Sequence, residues 1–566
     1  MSEVHLTING QAVTAPSGAT ILQAAQLAGI DIPTLCNHPA VSPHGACRMC
    51  LVSVKGMRGL QTACTCPVSE GMEVETDTEA INAGRRFVLQ LLFSERNHYC
   101  MFCQVSGDCE LQELAYRHGL DHWTFPRSYR RLPMDASARY ITMDPNRCVL
   151  CTRCVRACAE IAANHTLGLR ERGARSMIMA DVNVPLGASS CVECGTCVQV
   201  CPTGALMNTF APYAGHEEDL DHTQTTCMQC SVGCTIEVVS RANHLVRVDG
   251  VWDAGPSQGL LCVDGRYRPL YDERERVTQP LVRRNGELAA VPWDEALRLI
   301  AGKLKSGSAL GLAACATSNE ALAAFAGLFA KAGGQAGRLE PAAPILGYGP
   351  AATLADVLSA DFVLVAGVDP LAQQRVVGYF IKRALDSGAQ LAVVDGGPNE
   401  LREFAHLAAD AGGAAQIVAE AGKAARPVVV YGAGVSAALA EVLRPLHGHA
   451  RFLRLDQARN GGGAAAAGLA PLAPRPAELV VFLLGEAEAD GGLAERLDGA
   501  FTVVQAAYRS PLTERADVVL PTPIWAERSG HFTNLEGRAL PLRAALTMPE
   551  GVRDEAEVLQ TLAGML

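Results

Sequence analysis

Residues 146–158, NRCVLCTRCVRAC, and residues 189–206, SSCVECGTCVQVCPTGAL, each carry four cysteines spaced C-x2-C-x2-C-x3-C. Thiolates at these intervals hold iron–sulfur clusters, which move single electrons. Pro202 follows the last of the eight and stops a helix from running on. Working outward, 20 of the 21 cysteines precede residue 263, and 19 sort into five sets with cluster-like spacing. The remaining half of the chain holds only Cys315. The first half therefore reads as an electron wire; a zinc site is the blander alternative for any one set.

The paired runs resemble a bacterial two-cluster ferredoxin. That resemblance implies that the fourth cysteine of each run crosses to the other cluster. One cluster then uses Cys148, Cys151, Cys154 and Cys201, and the other Cys191, Cys194, Cys197 and Cys158.

Upstream, HLTING-QAV reads as a hairpin turning at Asn9-Gly10, and Thr20–Gly29 as an amphipathic helix. Cys36, Cys47, Cys50 and Cys64 follow as C-x10-C-x2-C-x13-C. The order resembles the β-grasp [2Fe–2S] domain of plant-type ferredoxins, with the first gap seen in complex I. Gly45 is expected to let the loop approach the cluster closely. Cys66 is the alternative to Cys64. Next, SERNHYCMFCQVSGDCELQ supplies Cys100, Cys103 and Cys109. Three thiolates leave a four-iron cluster one ligand short, and His98 is the candidate fourth. The stretch resembles the His/Cys cluster of the complex I G-subunit family. That family usually has its histidine where Arg96 stands, whereas the H-x-C form resembles the diaphorase subunit of NAD-reducing hydrogenases and NAD-linked formate dehydrogenases. That second likeness covers residues 1–210, including residues 121–148.

TTCMQCSVGCTIEV gives Cys227, Cys230 and Cys234, and Cys262 completes C-x2-C-x3-C-x27-C. The pattern resembles the [4Fe–4S] domain that opens molybdopterin oxidoreductases and recurs in the G-type complex I proteins. Residues 266–290 are charged and Pro-punctuated, and read as a linker. Beyond them, ADFVLVAGVDP, AQLAVVDGGP and ARPVVVYGAGVS are strand-then-turn segments of doubly wound α/β units. Ser318 and Asn319 mark a helix start, and ADVVLPTPIWAERSGHFTNLEGR resembles the closing segment of the family's central domains. The chain ends about 30 residues later, short of the length for that family's C-terminal barrel. Residues 338–359 hold neither cysteine nor histidine for molybdenum, and Ser359 is their only serine. Cys315 reads as a buried apolar residue. Gly432-Ala433-Gly434 reads as an ordinary tight turn rather than a nicotinamide site, and GGGAAAAG at 461–468 as a flexible loop.

The expected architecture is α/β and multidomain. Residues 1–80 form a [2Fe–2S] β-grasp domain, 81–138 a His/Cys [4Fe–4S] domain and 139–215 a two-cluster ferredoxin domain. Residues 220–275 form a molybdopterin-oxidoreductase-type [4Fe–4S] domain, and 276–566 a degenerate molybdopterin-oxidoreductase-like α/β body. The cofactors expected are one [2Fe–2S] and four [4Fe–4S] clusters, without molybdopterin and without a catalytic residue. The net charge of −11 argues against nucleic acid. No run reaches the ~18 apolar residues of a membrane span, and the N-terminus carries no signal-peptide pattern. The resemblance implies an electron-transfer subunit of an NAD(H)-linked oxidoreductase in the cytoplasm, attached to the inner membrane only through partners. Those partners would be an FMN/NADH-binding flavoprotein subunit, a small [2Fe–2S] subunit, and a hydrogenase, formate dehydrogenase or quinone-reducing module. Electrons would enter near the [2Fe–2S] or His-ligated cluster and run through the ferredoxin pair. A catalytic molybdenum or tungsten formate dehydrogenase alpha subunit is the alternative, and an iron-only hydrogenase lacks its further cysteines here.

Overall fold

A computed structural model describes residues 2–126, 131–211, 215–306, 308–488, 492–493 and 499–566. The run 121–148 crosses residues 127–130, which lie outside the described residues, as do residues 212–214 near the end of the expected ferredoxin domain. The chain divides into two compact units, residues 1–220 and 221–566.

In the first unit, strands Glu3–Ile8 and Gln11–Pro16 pair antiparallel. Asn9 and Gly10 both turn with positive φ, 51° and 78°, the backbone that an Asn-Gly hairpin favours. Strand Glu73–Glu75 pairs parallel with the first strand, and Leu51–Val54 joins it antiparallel. Helix Ile21–Leu27 starts on a capping box between Thr20 and Gln23. Its Ile21 and Leu22 pack against Leu6, Ile8, Val52 and Val74. A second core joins Leu35 and Met49 to Leu89 of helix Glu79–Glu95 and to Leu111 and Leu114 of helix Glu110–Arg117. That core seats the first cysteine loop against the helices flanking His98. Further on, strand Ile141–Met143 pairs antiparallel with Leu206–Asn208, bringing the two ends of the paired cysteine runs together.

The second unit begins with an antiparallel sheet of Asp221–Thr226, Thr235–Arg241 and His244–Gly250. Its main body holds two larger sheets. One is parallel throughout, in the order Leu407–Ala409, Gln390–Val394, Phe362–Ala366, Pro427–Tyr431, Arg451–Arg454. Phe362–Ala366 and Pro427–Tyr431 are buried at every position, as sheets covered on both faces require. The other is seven-stranded, with parallel strands Gln335–Arg338, Ala309–Ala313, Leu479–Gly485, Phe501–Ala506 and Val518–Pro521.

Two sequence expectations change here. Residues 266–290 are not a linker: Arg266 and Tyr267 are buried, Val277 lies in the core, and strands Leu281–Arg284 and Glu287–Ala290 form an antiparallel hairpin at the edge of the seven-stranded sheet. GGGAAAAG is not a loop either. Gly461–Ala466 is a helix, and Asn460 caps it by accepting from Gly463 N–H at 3.1 Å. A Cβ at Gly463 would stand 2.2 Å from Asn319 Oδ1 and one at Gly462 2.5 Å from Thr533 Cγ2, so these glycines serve close packing. The Gly432 turn behaves as expected. A Cβ at Gly434 would stand 2.7 Å from Gly367 O, so two strand–helix turns press on each other. Among the described residues, no helix is long and apolar enough to cross a membrane.

Candidate metal centres

Cys36, Cys47, Cys50 and Cys64 converge in the first unit. Cys36 N–H donates to Cys47 Sγ at 3.3 Å and Cys47 N–H to Cys36 Sγ at 3.5 Å. The Cys64 thiol hydrogen-bonds with Cys36 and Cys50. Hydrogen bonds from Cys47 and Cys64 hold the Cys36 thiol far below its ordinary value, and that from Cys64 lowers Cys50 to about 7. The same bonds push Cys47 and Cys64 up, so the four thiols share their protons as a group. Cys66 stands apart, its sulfur facing Pro67 O at 3.8 Å. Gly45 does turn with positive φ, 69°, but the atoms nearest its missing Cβ belong to Thr65. Arg85, which the sequence reading passed over, is buried and braces this loop, donating to Met49 O at 3.2 Å and Leu51 O at 2.9 Å.

His98, Cys100, Cys103 and Cys109 line one cavity. The ring of His98 is held by a hydrogen bond to the Leu92 backbone, and burial lowers it to about 4, so the imidazole is neutral. Its Nε2 is buried without a hydrogen-bond partner. A neutral imidazole with a vacant buried nitrogen is the form that binds metal. Gly204 closes the wall, since a Cβ there would stand 2.9 Å from Cys103 Sγ.

The paired runs build two further cavities. Cys148, Cys151, Cys154 and Cys201 line one; Cys158, Cys191, Cys194 and Cys197 line the other. Each cavity thus takes three cysteines from one run and one from the other. The backbones repeat as well. Leu150 and Glu193 have positive φ, and each donates its N–H at 3.4 Å to the sulfur two residues back, Cys148 or Cys191. Thr152 and Gly195, each following a cysteine, are also left-handed. Cys197 lies on the short helix Thr196–Gln199, and Cys158 on a single π-turn that continues helix Arg153–Arg156, a device frequent at functional sites.

Two arginines inside the first run tie the cysteine loops together. Arg153 is buried and grips Glu110, the residue after Cys109, through both carboxylate oxygens at 2.5 and 2.8 Å. Arg156 donates to Cys36 O at 2.6 Å and Cys151 O at 3.1 Å, and also to Ser42 O. The sequence carries no signal for this role, since both arginines stand at intervening positions of the cysteine motif.

In the second unit, Cys227, Cys230, Cys234 and Cys262 are packed together. Cys227 N–H donates to Cys234 O at 2.8 Å, and a Cβ at Gly265 would stand 3.1 Å from Cys227 Sγ. Burial pushes Cys227, Cys230 and Cys262 up to about 12. Thiols so desolvated become thiolates only when bound metal supplies the compensating charge. Among the described residues no three ligating side chains converge on a single metal ion. Four sulfurs lining one cavity, as at the two sites of the paired runs, suit a polynuclear cluster, whose irons bind them from within. Cys315 is buried in the apolar core, as expected, with polar groups at one side: its N–H donates to Glu340 Oε1 at 3.0 Å, and Arg338 pairs with Asp456 nearby.

These sites on this α/β frame define the class, an iron–sulfur subunit of an oxidoreductase. Residues 1–79 match the model of the 2Fe-2S iron-sulfur cluster binding domain, 85–123 that of the NADH-ubiquinone oxidoreductase-G iron-sulfur binding region, and 138–207 that of the ferredoxin-like domain of NADH-quinone oxidoreductase subunit 3. Residues 220–269 match the molybdopterin oxidoreductase Fe4S4 domain, and 276–441 with 450–565 the molybdopterin oxidoreductase model. NADH-quinone oxidoreductase subunit 3 of Thermus thermophilus is 29% identical over 100% of this chain and 83% of its own. A G-type NADH-quinone oxidoreductase protein of Rhizobium meliloti is 36% identical over 57% of this chain, which spans only 38% of that protein. A chain of an NAD+-reducing [NiFe]-hydrogenase is 36% identical over 38% of this chain and 91% of its own, at a TM-score of 0.36. The chain belongs to the G-subunit family of NADH-quinone oxidoreductase.

Proposed function

We propose that this chain is an iron–sulfur electron carrier between an FMN/NADH-binding flavoprotein, with its small [2Fe–2S] subunit, and a partner that reduces quinone or exchanges electrons with a hydrogenase or formate dehydrogenase. Cys36, Cys47, Cys50 and Cys64 hold a [2Fe–2S] cluster. His98, Cys100, Cys103 and Cys109 hold a [4Fe–4S] cluster. Cys148, Cys151, Cys154 and Cys201 hold another, as do Cys158 with Cys191, Cys194 and Cys197. Cys227, Cys230, Cys234 and Cys262 hold the last. The domains follow the bounds 1–80, 81–138, 139–215, 220–275 and 276–566. When bound, such clusters accept and release one electron at a time. The chain's own residues fix the ligands, supply N–H donors to sulfur and exclude water.

The observation that carries this reading is the buried, unpartnered Nε2 of His98 at the wall it shares with three cysteines. A histidine kept only for packing would pair that nitrogen or expose it. The molybdopterin-like body is read as a scaffold, because the glycines at 461–463 are filled by neighbouring side chains and residues 338–359 offer no thiolate. The test is metal analysis of the anaerobically reconstituted chain. About 18 iron atoms per chain, counted from these cluster types, with no molybdenum or tungsten is the expected result. Near-stoichiometric molybdenum or tungsten would overturn the scaffold reading and make formate-type catalysis the working model.

Within the first site, Cys64→Ala is expected to abolish the [2Fe–2S] electron paramagnetic resonance (EPR) signal and Cys66→Ala to leave it unchanged. The reverse pattern would transfer the ligand role to Cys66.

A further inference from the structure

We propose that Arg96 is the counter-cation of the cluster held by Cys148, Cys151, Cys154 and Cys201, and that it sets this cluster's reduction potential above that of its twin. The inference rests on the cluster reading above. Arg96 is only 6% exposed and lies on the wall of that cavity. Its Nη2 donates to Ser176 O at 3.0 Å, while its Nε is buried with no partner. Among the described residues it makes no ion pair.

A guanidinium buried in this way is costly unless negative charge faces it. Two carboxylates stand near. Asp144 lines the same cavity, but its Oδ2 accepts from Arg147 Nε at 2.9 Å and its Oδ1 from Asn146. Glu95 also acts on Cys148, from a half-exposed position. The remaining source of negative charge is the cavity itself, with four thiolates. On the other side, Arg96 and Arg147 both disfavour charging of His98, which keeps that imidazole in its metal-binding form.

The twin cavity differs. Its lining, Asn164, Thr166 and Thr196 among apolar groups, includes no charged side chain. Glu193 adds negative charge beside Cys191. Arg153 is also buried beside Cys151, but Glu110 neutralises it, so two sites built from one repeated motif differ by one buried, unpaired cation on the cavity wall. Reduction adds negative charge, which a facing cation stabilises, so the cluster beside Arg96 is reduced at the higher potential.

The test is an EPR-monitored redox titration of the full reconstituted chain with Arg96→Gln and Arg96→Lys. In Arg96→Gln the four-iron signal that Cys201→Ala abolishes is expected to lose about tenfold in its reduction equilibrium, a downward shift of about 59 mV for one electron. The midpoint of the twin cluster holds, and Arg96→Lys stays near wild type. Unmoved midpoints with iron retained would overturn the role. So would a shift in Arg96→Lys as large as in Arg96→Gln, which assigns the effect to shape, or loss of iron in both variants, which makes Arg96 structural. A wild-type chain that binds no iron would instead refute the cluster reading itself.

Discussion

Cys201→Ala is expected to remove the cluster whose other ligands are Cys148, Cys151 and Cys154, while the cluster of Cys191, Cys194 and Cys197 survives. The effect is all-or-none, because three thiolates leave one iron of a four-iron cluster without its protein ligand. About four of about 18 iron atoms would go, together with one EPR signal. Cys158→Ala should remove the other signal. The expectation follows from the cavities, each of which draws one wall from the opposite run. The antiparallel pairing of Ile141–Met143 with Leu206–Asn208 brings the start of the first run against the end of the second. Alanine is the informative replacement, since serine could still ligate through oxygen. If Cys201→Ala and Cys191→Ala abolished the same signal, each run would serve its own cluster and the crossed assignment would fall.

What could be read from the sequence was what local spacing encodes. The Asn9-Gly10 hairpin, the cap at Ser318 and the apolar strands 362–366 and 427–431 all declared themselves within a few residues. The cysteine spacings were as local, since a repeated motif sets its own backbone turns, here the left-handed residues Leu150, Thr152, Glu193 and Gly195. Composition misled in two places. Residues 266–290 looked like a linker because of their arginines and prolines. Yet Asn285-Gly286 turns between strands Leu281–Arg284 and Glu287–Ala290 with φ values of 51° and 89°, the same hairpin signal as Asn9-Gly10, overlooked among the charges. The glycines at 461–463 suggested a loop, and only the crowding of Asn319, Asp456 and Thr533 against them shows why small residues stand there. The arginines lay beyond reach for another reason. Arg85, Arg96 and Arg156 act on groups 34 to 120 residues away in the chain, and no periodicity or motif marks a contact made by folding alone.

The largest stability effect is expected at Arg528. This guanidinium and the carboxylate of Glu555 are both fully buried, with Arg528 Nη2 2.5 Å from Glu555 Oε1. Arg528 also donates to Pro523 O at 2.9 Å and Ala316 O at 3.2 Å, and Thr317 Oγ1 donates to Glu555 at 3.2 Å. One ion pair thus pins the turn before helix Asn319–Ala332, the 523–528 segment and helix Glu555–Met565. Arg528→Met keeps much of the volume but strands a buried carboxylate, at a cost of about 3–5 kcal/mol. Glu486 deepens the loss. Burial pushes its carboxyl up, and Arg528 is the leading charge that holds it down. With Arg528 gone, the folded form of this acid binds its proton at higher pH than the unfolded form does. The added deficit is therefore present above the raised value and shrinks as pH falls through it toward the ordinary carboxylate range. Denaturant unfolding followed by the fluorescence of Trp252, Trp293 and Trp525 would measure both effects. The double variant Arg528→Met with Glu555→Leu should recover much of the loss, because burying two apolar groups avoids the stranded charge. A double variant as unstable as the single one would assign the loss to packing, and a single variant as stable as wild type would show that the pair contributes nothing.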